Sequence, residues 1–119
     1  MNTNAKILMA DDSAFMRKIL KDILESMGFT NFIEAENGLQ AVEMFNSEKP
    51  DLVLLDVIMP EQDGIETLKK IGKEGNVLMI SAIGQDSIIK DAKTNGAKGY
   101  IVKPFEKDKV VEEITKILG

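Results

Sequence analysis

Short apolar runs alternate along this chain with segments of helical period, and that alternation constrains the fold more than any other feature. Lys6–Ala10, Asn31–Ala35, Leu52–Leu55, Val77–Ile80 and Gly99–Val102 read as strands. Between and after them, apolar residues recur at helical spacing. Phe15, Met16, Ile19, Leu20, Ile23, Leu24 and Met27 follow Asp12 or Ser13 as a cap and precede Gly28 as a stop. Leu39, Val42, Met44 and Phe45 follow Asn37-Gly38, and Ile65, Leu68 and Ile71 lie ahead of Gly72. Asp86–Thr94 has a weak apolar face of Ile88, Ile89 and Ala92, with Gly96 as its stop. The last helix is expected over Pro104–Leu118, with Val110, Val111, Ile114, Ile117 and Leu118 inward.

Five strands alternating with five helices imply a doubly wound α/β fold, a parallel sheet covered by helices on both faces. The first, third and fourth strands are almost wholly apolar, as burial on both faces requires. Right-handed crossovers bring every strand's C-terminal end to one edge, where such sheets bind ligands. The polar residues Asp11, Asp12, Asp56, Ser81 and Lys103 all fall at such ends. Asp56 is the most telling, because it closes the run Leu52-Val53-Leu54-Leu55 and opens a loop through Pro60 to Gly64.

The chain has 119 residues, 44% hydrophobic and 29% charged, enough for one domain with a single core. A net charge of -5 argues against nucleic acid or an anionic membrane as a partner. No cysteine or histidine is present, which excludes thiolate and imidazole chemistry and argues against zinc or copper. No stretch approaches the roughly 18 apolar residues of a membrane span. The polar start, Met1 to Lys6, shows no signal peptide. A cytoplasmic protein of one domain, residues 1–119, without a further domain is expected.

Three carboxylates held together repel one another unless a cation joins them. All-oxygen ligands suit Mg²⁺, which takes one or two carboxylates plus a phosphate oxygen. A carboxylate beside Mg²⁺ can act as a nucleophile and become an aspartyl-phosphate. Phosphoryl transfer needs positioning and charge neutralisation, which Mg²⁺, Lys103 and the Ser81 hydroxyl would supply.

Several motifs in order resemble the receiver domain of two-component response regulators. They are Asp11-Asp12, Asp56 with Met59-Pro60 and Gly64, Ser81-Ala82, and Gly99-Tyr100-Ile101-Val102-Lys103-Pro104-Phe105. Asp12-Ser13-Ala14-Phe15-Met16-Arg17 and Ala82-Ile83-Gly84-Gln85 resemble the single-domain chemotaxis members of that family in particular. The resemblance implies the strand order 2-1-3-4-5 and a cis peptide before Pro104. It implies that Asp56 accepts a phosphoryl group from a histidine kinase. Asp12, Asp56 and the Ile58 carbonyl would hold Mg²⁺, with Asp11 acting through water. Ser81 and Tyr100 would form a switch pair that alters the face of the fourth helix, fifth strand and fifth helix. The implied partners are a kinase, a motility motor switch or its adaptor, and a phosphatase. The implied state is a monomer that is not an enzyme, beyond self-phosphorylation and slow self-dephosphorylation. A stand-alone relay receiver, passing phosphate to another histidine-containing protein, is the alternative.

Other classes fit less well. Haloacid-dehalogenase-type phosphatases carry a second acid two residues after the nucleophile, where this chain has Ile58. A flavodoxin-like FMN carrier needs a phosphate loop after the first strand, where Asp11-Asp12 would repel the phosphate. A binding module independent of phosphorylation would have no use for the acids. Ile58 and Ile83 stand where receivers often place polar side chains, and bulky apolar groups there are expected to slow dephosphorylation.

Overall fold

The computed structural model describes residues 2–119. Five strands, β1 (Lys6–Ala10), β2 (Asn31–Ala35), β3 (Leu52–Leu55), β4 (Val77–Ser81) and β5 (Gly99–Val102), form one sheet. Its order is β2-β1-β3-β4-β5 and every pairing is parallel. The helices are α1 (Ala14–Ser26), α2 (Gly38–Glu48), α3 (Gly64–Ile71), α4 (Asp86–Thr94) and α5 (Lys107–Leu118).

Side chains alternate across a strand, so each strand serves both sides of the sheet. Ile7, Met9, Leu54, Leu78, Ile80 and Ile101 pack with Leu20, Leu24, Val110 and Ile114 of α1 and α5. Leu8, Ala10, Val53, Leu55, Val77 and Met79 pack on the opposite side with Ala41, Phe45, Leu68, Ile71 and Ala92 of α2, α3 and α4. Two cores back to back explain why the central strands read as unbroken apolar runs.

Local signals set the helix starts. Ser13, Asn37 and Asp63 cap α1, α2 and α3, accepting from the backbone N–H of Met16, Gln40 and Glu66. Gly28 and Gly96 take positive φ (99° and 105°) just past α1 and α4, as their predicted stopping role requires.

Three expectations need correction. The α5 helix begins at Lys107 rather than Pro104. The Lys103–Pro104 peptide is cis, as expected, but the chain spends Pro104 to Glu106 in a turn that tucks Phe105 against the α1/α5 core. Phe15 and Leu39 match the helical period but lie outside the core, 74% and 49% exposed. Each sits in the first turn of its helix.

Candidate functional site

Each candidate residue is delivered by the hydrogen-bond ladder of a strand that has just ended. The Asp11 N–H donates to the Ala35 carbonyl (3.1 Å), the Asp56 N–H to Ala10 (3.0 Å), and the Lys103 N–H to Ser81 (2.9 Å). The sheet therefore sets the height at which β1, β3 and β5 release their polar residues. Beyond that edge the side chains fix the turns. Asp11 Oδ1 accepts from the Ser13 N–H at 2.9 Å, and Asp56 Oδ1 accepts from the Ile58 N–H at 3.2 Å. Asp12 leaves the capping of α1 to Ser13, and its own carboxylate is exposed.

Asp11, Asp12 and Asp56 each offer an oxygen within 4.8 Å of the others. Lys103 Nζ lies 2.9 Å from both Asp11 Oδ2 and Asp56 Oδ2. Asp11 and Asp56 are only 3% and 7% exposed, so this charge pairing takes place in a weakly screened setting. Burial raises the Asp11 carboxyl above the usual range, even though the Ser13 N–H and Lys103 both favour its charged form; Asp56 adds to the rise. For Lys103 burial works against the ammonium, but the hydrogen bonds to Asp56 and Asp11 outweigh it and the net shift is upward. Both shifts describe acids crowded together with one lysine to balance them.

This donor set fits a hard divalent cation. It is made only of carboxylate oxygens, it is gathered tightly, and Asp12 opens it to water, which Mg²⁺ retains in its shell.

Ser81 and Tyr100 share the sheet face covered by α4. Ser81 follows Met79 by two residues, Met79 pairs with Tyr100 in the sheet, and Tyr100 packs against the α2–α4 core. Ser81 is fully buried. Its Oγ accepts from the Ile83 N–H at 3.3 Å, while the Tyr100 hydroxyl donates to the Ile83 carbonyl. One backbone residue thus connects the two side chains. Burial raises the Tyr100 phenol above its ordinary value, with Asp56 contributing in the same direction and the Ser81 hydroxyl opposing.

Two features escaped the sequence reading. Arg17 is buried and donates from Nη1 to the Asp11 carbonyl and from Nε to Glu34 Oε1 at 2.7 Å. Its signal was a charge at the same helical face as Leu20 and Leu24. Gln62 ties the loop after Asp56 to its neighbours, donating to the Gly38 carbonyl (3.2 Å) and Thr67 Oγ1 (3.0 Å) and accepting from Lys70 (2.6 Å). No local pattern announces that hub.

Residues 7–115 match the family described as the response regulator receiver domain. The chain belongs to that family. This receiver domain is 51% identical over 117 residues to the chemotaxis protein CheY of Bacillus subtilis, covering 96% of this chain and 98% of that one. It is 38% identical to the sporulation initiation phosphotransferase F of the same organism, over 97% of this chain and 94% of the other. Among solved structures it is similar to the CheX-CheY-BeF3-Mg²⁺ complex from Borrelia burgdorferi, with a TM-score of 0.92 and 37% identity over 97% of this chain and 90% of that one. The receiver domain is thus of the CheY type and serves phosphorylation-dependent signalling. Among its described residues no helix is long and apolar enough to cross a membrane.

Proposed function

We propose that this receiver domain is a phosphorylation-activated switch in which Asp56 takes a phosphoryl group from the phosphohistidine of a kinase. The supporting observation is the convergence of Asp11, Asp12 and Lys103 on Asp56 in a chain half identical to a CheY. In the proposed transfer an Asp56 carboxylate oxygen forms the new bond to phosphorus. The bond from phosphorus to the imidazole nitrogen breaks, and the nitrogen keeps the electron pair. Lys103, already 2.9 Å from Asp56 Oδ2, would follow the charge onto the phosphoryl oxygens. Asp12, Asp56 and the Ile58 carbonyl would hold Mg²⁺, with Asp11 acting through water, and the ion would offset negative charge on the transferring group. The Borrelia complex, which contains CheY, BeF3 and Mg²⁺, supports Mg²⁺ as the ion.

The consequence would be conformational rather than catalytic, with self-phosphorylation and slow self-dephosphorylation as the only chemistry. A phosphoryl group adds about -1.5 to -2 charges and strong acceptor oxygens. The Ser81 hydroxyl would donate to one of them and relinquish its contact with Ile83, whose carbonyl holds Tyr100. The α4-β5-α5 face then changes shape for a target in motility, the process named for its CheY relatives. The cellular setting is the cytoplasm, where kinase and target would meet it. The 38% identity to a sporulation phosphotransferase favours one second reading, a relay receiver that hands the group to another histidine-containing protein.

Beryllofluoride with Mg²⁺, followed through backbone amide resonances, tests the switch. The expected result is a shift at Ser81, Ile83 and Tyr100 that disappears in Asp56→Asn. A wild-type spectrum indifferent to both reagents would refute the proposal. Return of label to a histidine phosphotransfer partner would select the relay reading.

A further inference from the structure

Asp12 is exposed, and no side-chain hydrogen bond to a described residue aims its carboxylate. Its direction is therefore set by the backbone on either side of it. That backbone is held at three points. The Asp11 N–H is fixed to β2 through the Ala35 carbonyl, and the Ser13 N–H is fixed to Asp11 Oδ1. The Asp11 carbonyl, which belongs to the peptide joining Asp11 to Asp12, receives Arg17 Nη1. The first two bonds come from the sheet and from the turn itself. The third comes from a charged side chain only 7% exposed, an unusual investment for a carbonyl at a loop.

Glu34 explains how that burial is tolerated. Its Oε1 takes Arg17 Nε at 2.7 Å from the edge strand β2, leaving the guanidinium's other arm directed at Asp11. A guanidinium presents its donors in a rigid fork, so fixing one arm on Glu34 also fixes the direction of the other. Lys103 acts on the acids from the β5 side and Arg17 acts from the α1 side, on the main chain rather than on a carboxylate.

We infer that Arg17, oriented by Glu34, is the positioning residue of the acid site: it locks the Asp11–Asp12 peptide and thereby sets the affinity for a divalent cation. This rests on the cation-binding reading given above. Groups that orient ligands through their neighbours typically change metal affinity about 10- to 100-fold when removed. Lysine at position 17 keeps the charge but offers a single point donor, which serves Asp11 or Glu34 and not both in the arginine geometry.

The test is a Mg²⁺ titration of the full chain, read by amide resonances of the loops after β1 and β3, together with the metal-free ¹⁵N shift of Asp12. The latter reports the peptide that Arg17 contacts. Arg17→Met and Arg17→Lys are compared with wild type and with Leu20→Ala, which loosens α1 through its core contact alone. The expected result is a Kd raised about 10-fold or more in Arg17→Met and less in Arg17→Lys. A displaced Asp12 ¹⁵N resonance should appear in both, with neither change in Leu20→Ala. Wild-type affinity in a folded Arg17 variant would overturn the inference, as would an equal weakening in Leu20→Ala. If Arg17→Met fails to fold, Arg17→Lys with an unmoved Asp12 resonance overturns it as well. A wild-type chain that does not respond to Mg²⁺ sinks the cation reading itself, and this inference with it.

Discussion

Gly64→Ala is the sharpest single perturbation of Asp56 that leaves every candidate side chain unsubstituted. Gly64 opens α3 while the chain doubles back over the end of β3. A Cβ built there would lie 2.0 Å from the Asp56 carbonyl oxygen, 2.7 Å from the Asp56 carbonyl carbon and 2.7 Å from Val57 Cα. All three are backbone atoms, so no rotamer relieves the contact. Reaching even a tight 3.0 Å requires about 1 Å of main-chain movement. Such overpacking costs about 1–3 kcal/mol or more, against a gain of at most about 1 kcal/mol from replacing glycine at a helix position. With the offset taken in full, an overpacking cost at the upper end leaves a net loss of roughly 2 kcal/mol, at about 3–6 °C in Tm per kcal/mol for a chain of this size. The displaced atoms belong to Asp56 itself, so the 2.9 Å contact with Lys103 lengthens too. A misplacement near 1 Å can slow a reaction about 100-fold. Urea unfolding followed by circular dichroism gives the stability, and acetyl phosphate labelling gives the rate. Gly84→Ala is the control, since its Cβ meets only the Val102 side chain, at 3.2 Å, and should shift stability by less than about 0.5 kcal/mol. A Gly64→Ala chain as stable as that control, and labelled at the wild-type rate, would refute the reasoning.

Asp11→Asn should raise the urea midpoint without changing the slope, because burial and Asp56 disfavour the Asp11 charge in the fold. The sign is that of a raised acid: the folded form holds its proton more tightly, so wild-type stability gains from this group as pH falls. An unchanged or lower midpoint contradicts it. Tyr100 is the only tyrosine and there is no tryptophan, so tyrosinate absorbance reads one group. Its midpoint should lie above the ordinary value near 10. Stability should fall as pH rises from the unfolded phenol's pKa through the folded one, and an ordinary midpoint would count against the buried position. Ile58→Asn combined with Ile83→Glu should shorten the aspartyl-phosphate lifetime about tenfold or more, equivalent to about 1.4 kcal/mol of barrier. Ile58 is 56% exposed next to the Asp56 carboxylate and its N–H already touches it, so a polar side chain there would bring water to the site. A lifetime within about twofold of wild type would sink the idea.

The strands were legible because burial on two faces leaves a simple mark, an apolar run ending in a polar residue. Asp11, Asp56 and Lys103 could be placed together once those runs were recognised as parallel, since a parallel sheet delivers all its C-terminal ends to one edge. Side-chain period was a poorer guide in the first turns of α1 and α2. Phe15 and Leu39 fit the pattern and face solvent, because periodicity records which way a residue points and not whether anything covers it. The start of α5 was misplaced for a related reason. Proline favours a first helical position, but here the chain needed Pro104 to Glu106 to seat Phe105. The roles of Arg17 and Gln62 were not read because each bridges a near neighbour, the Asp11 carbonyl or Thr67, to a residue far along the chain, Glu34 or Gly38. Ser81 and Tyr100 could be paired only by resemblance, since the backbone of Ile83 that joins them leaves no trace in sequence.

The helix α4 is anchored far more lightly than its neighbours. Only Ala92 is fully buried, Ile88 and Ile89 are half covered, and Gln85 gives its first turn no side-chain cap. Segments with so few buried contacts open at the low end of a protein's local free energies. In hydrogen exchange α4 should therefore be the first helix to lose protection, well before the β1-β3-β4 centre. It is the helix that follows Ile83, so under the proposed switch the slack lies where a message would pass. A small push at Ser81 would then not have to deform the sheet; it would need only to tip a lightly anchored helix.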